Sequence, residues 1–331
     1  MNADGESPAQ DGPLVSIVIP TYNRMATLPA TIESVRAQTY ANIELVIVDD
    51  RSSDGTREFL NGLDLPFPVV VLFHEARQGG AVARNTGIAA ASGEYVAFLD
   101  SDDVWHGEKL ARQMRRLKAL GPGYEACFCG WASVNSSGQP FYVRSSSLEG
   151  DVHAALVREN FIGTTSAFLA SRARILEVGG FDPALKACQD WDLYLKLAKV
   201  TRFANVRDCL LDYLDDRSER ISTNPRSRMR GHLRVYAKHR RAFLRGDRRE
   251  AAAFRLYIAD CLMHLGRTKL ARNLMLGAFR RDPLSPTVLL RMGVVWTRRA
   301  PSDYANALKT LQAYRRRTER VTRRLPAFGG R

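Results

Sequence analysis

Four short apolar runs, each followed by a helix-like segment or a polar turn, constrain this chain more than any other feature. Val15–Pro20, Glu44–Asp49, Val69–Phe73 and Tyr95–Leu99 are rich in β-branched residues and lack polar alternation. A strand that is apolar on both sides must be covered on both faces. Between the runs, residues 26–38 place Leu28, Ile32 and Val35 at helical spacing, a helix is expected from Asp54 as cap to about Leu63, and a Gly-led helix over 80–91. Strand and helix in alternation predict a parallel α/β sheet. From about 125 to 215 the pattern changes to strand-like runs at Cys127–Val134, Ala167–Ala170 and Arg202–Val206, with one helix at 190–199. This predicts a mixed elaboration of the same sheet.

Charge divides the chain. Of 331 residues, 49 are Lys or Arg and 35 are Asp or Glu, a formal net charge of +14. Residues 217–331 hold 29 of the basic residues against 7 acidic ones. The remainder is therefore acidic. The expected organisation is a flexible leader over 1–13, an α/β domain over 14–216 and a basic helical region over 217–331. Helical spacing in the last recurs at 228–245, 249–265, 268–281 and 285–298, and 251–282 reads as one helix-turn-helix unit that needs neighbouring helices to cover it. The leader lacks the apolar core of a signal peptide. No apolar run approaches the roughly 18 residues of a membrane span. Five scattered cysteines, without metal-knuckle spacing, predict reduced thiols. A cytoplasmic protein is expected.

Ligands of open α/β sheets bind beyond the carboxyl ends of the strands. There the chain places Thr21-Tyr22-Asn23-Arg24, Asp49-Asp50-Arg51-Ser52-Ser53-Asp54-Gly55 and Asp100-Ser101-Asp102-Asp103. Three carboxylates within four residues repel one another unless a cation lies among them. An oxygen-ligated Mg2+ or Mn2+ meets that need and takes its other ligands from phosphate oxygens. Gly79-Gly80 opens a helix whose N-terminus attracts anions, but neither a dinucleotide fingerprint nor a P-loop is present. Asp190 is either a helix cap or a general base. Trp191 is either core or a stacking platform for a ligand. Asp192 is expected to be exposed, and His74 structural or on the surface.

Taken together, these motifs resemble family 2 glycosyltransferases. The resemblance is carried by Val15-Ser16-Ile17-Val18-Ile19-Pro20-Thr21-Tyr22-Asn23, Gln38-Thr39-Tyr40, Val48 to Thr56, Ala83-Arg84-Asn85-Thr86-Gly87 and Phe98 to Asp103. It continues through Gly179-Gly180-Phe181-Asp182 and Gln189-Asp190-Trp191-Asp192-Leu193. It spans about residues 14–215. It implies a GT-A fold, a mostly parallel sheet flanked by helices, with an α-helical C-terminal region outside the match. It also implies an inverting, metal-dependent sugar transfer from a nucleotide-diphosphate donor, a UDP-sugar by expectation, to a hydroxyl of a glycan or lipid-linked acceptor in cell-surface polysaccharide synthesis.

By the same resemblance, Thr21, Tyr22, Asp50, Arg84 and Asp100 line the donor site and Asp102 ligates the metal. Asp190 is the catalytic base, and Trp191 lies on the acceptor side. Gln189 departs from the Glu common in the family. Arg217 and Arg220 are weak candidates to close over the diphosphate. The rivals are a sugar nucleotidyltransferase, which needs a Gly-rich loop where Thr21-Tyr22-Asn23-Arg24 stands, and a non-catalytic binding scaffold. For the basic helices, the readings are ordinary exposed faces, peripheral contact with an anionic membrane, or a protein or glycan partner. No nucleic-acid recognition motif accompanies them, so no nucleic-acid partner is expected.

Overall fold

The computed structural model describes residues 12–135, 137–214, 225–245, 248–285, 288, 289 and 292. The chain divides into two compact units, the second beginning at Pro225. The leader to residue 11, Arg217, Arg220 and nearly all of the helix expected at 285–298 lie outside the described residues.

The first unit is built on a nine-stranded sheet of order β3-β2-β1-β4-β8-β6-β9-β5, with β7 also paired to β6. Strands β1 (Val15–Thr21), β2 (Ile43–Asp49), β3 (Val69–Phe73) and β4 (Tyr95–Phe98) form its parallel half. Every residue of β2, and all of β1 except Pro20, is buried, as an apolar strand covered on both faces must be. Helices α1 (Leu28–Arg36), α2 (Thr56–Asn61) and α3 (Gly80–Ala90) link these strands. The cap differs from expectation. Gly55, not Asp54, precedes α2, and Asp54 accepts hydrogen bonds from the Met25 N–H and from the N–H and hydroxyl of Thr56.

At β4 the sheet changes character. Strand β8 (Phe168–Ser171) runs antiparallel to β4, and β6 (Tyr124–Val134) antiparallel to β8. Strand β9 (Arg202–Leu214) lies parallel to β6, with β5 (Asp103–Trp105) antiparallel beyond it and β7 (Pro140–Arg144) antiparallel to β6. Among the described residues, half of the strand pairings are thus antiparallel. Helix α4 (Lys109–Leu120) was not expected from the sequence, although Leu110, Met114 and Leu117 recur at helical spacing and are buried. Helices α5 (His153–Arg158), α6 (Arg172–Glu177) and α7 (Gln189–Leu197) complete the unit.

The second unit holds α8 (Pro225–Lys238), α9 (Arg240–Arg245), α10 (Arg248–His264) and α11 (Thr268–Phe279). The turn between α10 and α11 is a Schellman closure. Gly266, at φ +75°, donates to Met263 O, and the Arg267 N–H reaches Leu262 O. Ala252, Leu256, Ala259, Ala271, Met275 and Ala278 form the core of the pair, and Leu233, Tyr236, Val288 and Met292 cover it. The helix pair therefore finds its cover in neighbouring helices. All five cysteines are free thiols. Among the described residues no helix is long and apolar enough to cross a membrane.

Candidate active site

The carboxyl ends of β1 and β2 are tied together before any ligand is considered. Thr21 pairs in register with Asp49, and the Asp50 N–H donates to Thr21 O at 2.8 Å. The buried Thr21 hydroxyl has no hydrogen-bond partner. Asp49, fully buried, accepts from Ser52 N–H and from the Arg57 guanidinium at 2.9 Å. Asp50 accepts from the backbone N–H groups of Gln78 (2.8 Å) and Gly79 (2.7 Å) and lies 2.8 Å from His74 Nδ1. The other ring nitrogen of His74 meets Thr86 at 3.1 Å. His74 is thus structural, and Asp50 fastens β2 to the loop that leads into α3. Tyr22 is covered by the Arg77 guanidinium, 3.9 Å from the ring centroid.

The acidic cluster beyond β4 is neutralised residue by residue. Arg84, from the second turn of α3, donates to Asp100 Oδ1 at 2.5 Å, and the Thr165 hydroxyl reaches the same oxygen at 3.3 Å. Asp102 faces Arg24 at 3.7 Å. Asp103 is fully buried and accepts from the Ser166 hydroxyl at 2.5 Å, while Ser166 Oγ accepts the Asp100 N–H. Protein cations and hydroxyls therefore offset much of the repulsion that the sequence implied. Thr165 and Ser166, in the single turn of 3-10 helix before β8, are site residues that sequence reasoning missed.

Arg84 also connects this edge to α7. Its other terminal nitrogen donates to Gln189 Oε1 at 3.2 Å, and Gln189 Nε2 donates to Leu185 O. The neighbouring Asn85 clamps the segment before α7, its amide giving to Phe181 O and taking from the Phe181 N–H, both at 2.8 Å. Gly180 permits this approach, since a Cβ there would fall 2.7 Å from Asn85 Oδ1 and its φ is +59°. Thus Ala83-Arg84-Asn85 and Gly179-Gly180-Phe181, distant in sequence, form one contact.

Asp190 opens α7 from this clamped segment. Its Oδ2 accepts the Asn160 side-chain amide at 2.7 Å. Burial raises its pKa above the usual carboxylate range. The Trp191 backbone N–H, Asn160 and the Arg84 charge oppose that shift, while Asp100 reinforces it. Trp191 takes one of the two readings open to it, and Asp192 differs from expectation. Trp191 is only 3% exposed and its indole donates to Leu156 O at 2.7 Å, so it belongs to the packing and offers no stacking face to an acceptor. Asp192 is fully buried and pairs with Lys196 at 3.4 Å, because the helix turns it inward and not to solvent.

An α/β sheet whose carboxyl edge carries Asp50, Asp100 and Asp102, with a further carboxylate at the start of a packed helix, has the architecture of a GT-A-type fold. Residues 16–175 match the profile of "Glycosyl transferase family 2". Over 204 residues the chain is 31% identical to the putative teichuronic acid biosynthesis glycosyltransferase TuaG of Bacillus subtilis, covering 61% of this chain and 79% of that protein. Over 111 residues it is 47% identical to the Escherichia coli UDP-Glc:alpha-D-GlcNAc-diphosphoundecaprenol beta-1,3-glucosyltransferase WfgD, covering 32% of this chain and 42% of that protein. In fold it resembles S. aureus TarS 1-349 in complex with UDP-GlcNAc, with TM-score 0.64, 18% identity and coverage of 90% and 91% of the two chains. It also resembles the mannosyltransferase PcManGT of Pyrobaculum calidifontis in complex with GDP-Man and Mn2+, with TM-score 0.57, 20% identity and coverage of 94% and 87%. The chain belongs to glycosyl transferase family 2, and it is a glycosyltransferase.

Proposed function

We propose that the enzyme moves a sugar, with inversion, from a UDP-sugar to a hydroxyl of a growing cell-surface glycan or lipid-linked glycan. The observation that carries this reading is the Arg84 bridge. One guanidinium contacts Asp100 on the donor edge and Gln189 beside Asp190, so a donor at that edge and an acceptor at Asp190 share one rigid support. The names of TuaG and WfgD support a surface-polysaccharide product, and that of WfgD a UDP-sugar and a lipid-diphosphate acceptor.

In this reading Thr21, Tyr22 and Asp50 border the nucleoside. Asp50 already takes three contacts from the loop that leads into α3, and its remaining acceptor position suits a base N–H. Arg84 faces the diphosphate side. Asp190 takes the proton of the acceptor hydroxyl as that oxygen attacks the anomeric carbon, while the bond to diphosphate breaks on the opposite side. Displacement from the rear gives inversion.

A divalent cation fits the residues in one mode. Among the described residues, no group of three or more His, Cys, Asp or Glu side chains is arranged to hold an ion alone. Asp102, with Asp100 beside it, supplies the one or two carboxylates that Mg2+ or Mn2+ needs when phosphates complete the shell. When bound, such an ion stabilises charge on the leaving diphosphate. The Mn2+ in the PcManGT complex supports the assignment. A cytoplasmic enzyme meeting its acceptor at an anionic membrane face accords with α8 and α9, in which Pro225–Lys238 and Arg240–Arg245 contain no acidic residue.

The test is donor hydrolysis and binding across UDP-, GDP- and dTDP-sugars with Mn2+, with and without EDTA. Turnover of a UDP-sugar that EDTA abolishes is expected. No turnover or binding of any donor would sink the enzyme reading, and turnover indifferent to EDTA would remove the metal.

A further inference from the structure

The segment that holds Asp190 is itself held with unusual completeness. Three successive carbonyls between α5 and β8 accept side-chain donors from the β6–β7 hairpin. Arg144 of β7 gives to Asn160 O at 2.7 Å and to Phe161 O at 2.9 Å, and Trp131 of β6 gives to Ile162 O at 2.8 Å. Arg144 also pairs with Glu159 at 2.6 Å. Just beyond, Thr164 O accepts the Tyr194 hydroxyl at 2.9 Å. Gly163 closes the turn at φ +94°, where a Cβ would fall 2.9 Å from Trp131 Cζ2.

Within this frame the Asn160 amide has only one orientation. Its Oδ1 accepts the Gly163 N–H at 3.1 Å, so its NH2 group faces Asp190 Oδ2. Rotating the amide would break both bonds and set oxygen against oxygen.

We propose that Asn160 is a positioning residue for Asp190, orienting the half-buried carboxylate and keeping it ionised. The proposal rests on the reading of Asp190 as the base. The charged and titratable groups whose fields reach Asp190 are Arg84 from α3, Asp100 from beyond β4 and Tyr194 from its own helix. Arg84 is shared between Asp100 and Gln189, so its charge is divided. Tyr194, buried with its hydroxyl given to Thr164, is neutral throughout the working range. Asn160 is thus a donor committed to Asp190 without bringing a charge of its own. Such a bond favours the carboxylate over the acid.

The test reads Asp190 directly. Protein labelled with 13C at aspartate carboxyls is titrated by NMR, the Asp190 signal being assigned by its loss in Asp190→Asn. In Asn160→Ala the Asp190 midpoint moves up by roughly one pH unit, the scale of one charge-assisted hydrogen bond. The acid limb of turnover, with whichever donor the panel above identifies, moves with it, while donor affinity stays within about twofold, since the Asn160 side chain bonds Asp190 and Gly163 and none of the donor-side residues. If Asn160→Ala does not fold, Asn160→Ser, whose hydroxyl is too short to reach Asp190, replaces it with the same expectation. A midpoint at the wild-type value in a folded variant overturns the proposal. Asp190→Asn separates the two readings. Full transfer in that variant removes the base and this proposal with it. Lost transfer together with an unmoved midpoint in the Asn160 variant overturns the role of Asn160 alone.

Discussion

Gly87 sits in α3, three residues after Arg84 and two after Asn85, and replacing it with alanine sets two known effects against each other. A glycine inside a helix costs about 0.5–1 kcal/mol relative to alanine, so propensity alone predicts that Gly87→Ala stabilises. The packing says otherwise. A Cβ built on Gly87 falls 2.4 Å from Val18 Cγ1 and 3.3 Å from Val18 Cγ2, on a strand where Val18 is fully buried. The β1 backbone is not free to yield, because it is hydrogen-bonded on both sides to β2 and β4. Overpacking of this kind costs about 1–3 kcal/mol. The net expectation is a loss of about 1–2 kcal/mol, which for a unit of this size lowers Tm by about 2–8 °C. Thermal and urea denaturation measure it. Because α3 must shift to admit the methyl, Arg84 and Asn85 shift with it, and donor affinity falls as well. On a Val18→Ala background the clash is gone, and Gly87→Ala should be neutral or stabilising. A rise in Tm for Gly87→Ala alone would refute the reasoning, because propensity would then have outweighed contact.

Three further outcomes are expected. Asp190→Asn keeps donor binding and loses about 10²–10⁴-fold in transfer rate, measured by isothermal titration and UDP release. Lys109 is fully buried, its ammonium against Gln113 and 3.8 Å from the Trp105 ring, and burial pushes its pKa down from 10.5 to about 8. The unfolded chain therefore binds more protons between those values, and stability from this group rises with pH from about 8 to 10.5. Lys109→Met should flatten that rise and be neutral or stabilising at pH 7, and denaturation across pH with the rise unchanged in the variant would contradict this. Trp191→Phe should cost about 1–2 kcal/mol through the lost bond to Leu156 and lost volume, with no change in acceptor KM; a raised KM at unchanged stability would restore Trp191 to the acceptor side.

The parallel half of the sheet was legible because β1 and β2 are covered on both faces and β3 and β4 are short apolar runs, so few polar residues obscure them. The donor edge was legible for a related reason. Thr21, Asp50, Asp100 and Asp102 follow directly upon those strands, so locating a strand locates its ligand end. Beyond β4 the signals weaken. β5 has three residues and β7 is an exposed edge, with Phe141 at 61% and Val143 at 59%, so neither shows a burial pattern. Helix α4 had the right spacing in Leu110, Met114 and Leu117, but it also buries Lys109 and Gln113, polar types that read as solvent-facing. Asn160 left no local trace, because its meaning lies in contacts with Gly163 and with Asp190, thirty residues on. Trp191 and Asp192 were undecided or misread because a short helix packed on several sides has no solvent face to set its phase.

The change from parallel to antiparallel at β4 has a consequence for how such enzymes diversify. The parallel strands β1 to β4 all lie before residue 100, and every strand beyond β4 lies after it, so one crossover in a gene would exchange one half of the sheet entire. The joint includes three ladder positions between β4 and β8, the Asn85–Phe181 clamp, the reach of Arg84 to Gln189, and the bonds from Thr27, Thr31 and Gln38 to the carbonyls of Ser101, Asp103 and His106. Two related chains that agree at these points could trade halves and remain foldable. A lineage whose crossover falls after Asp102 could then recombine toward new acceptors while keeping Thr21, Asp50, Arg84, Asp100 and Asp102 together.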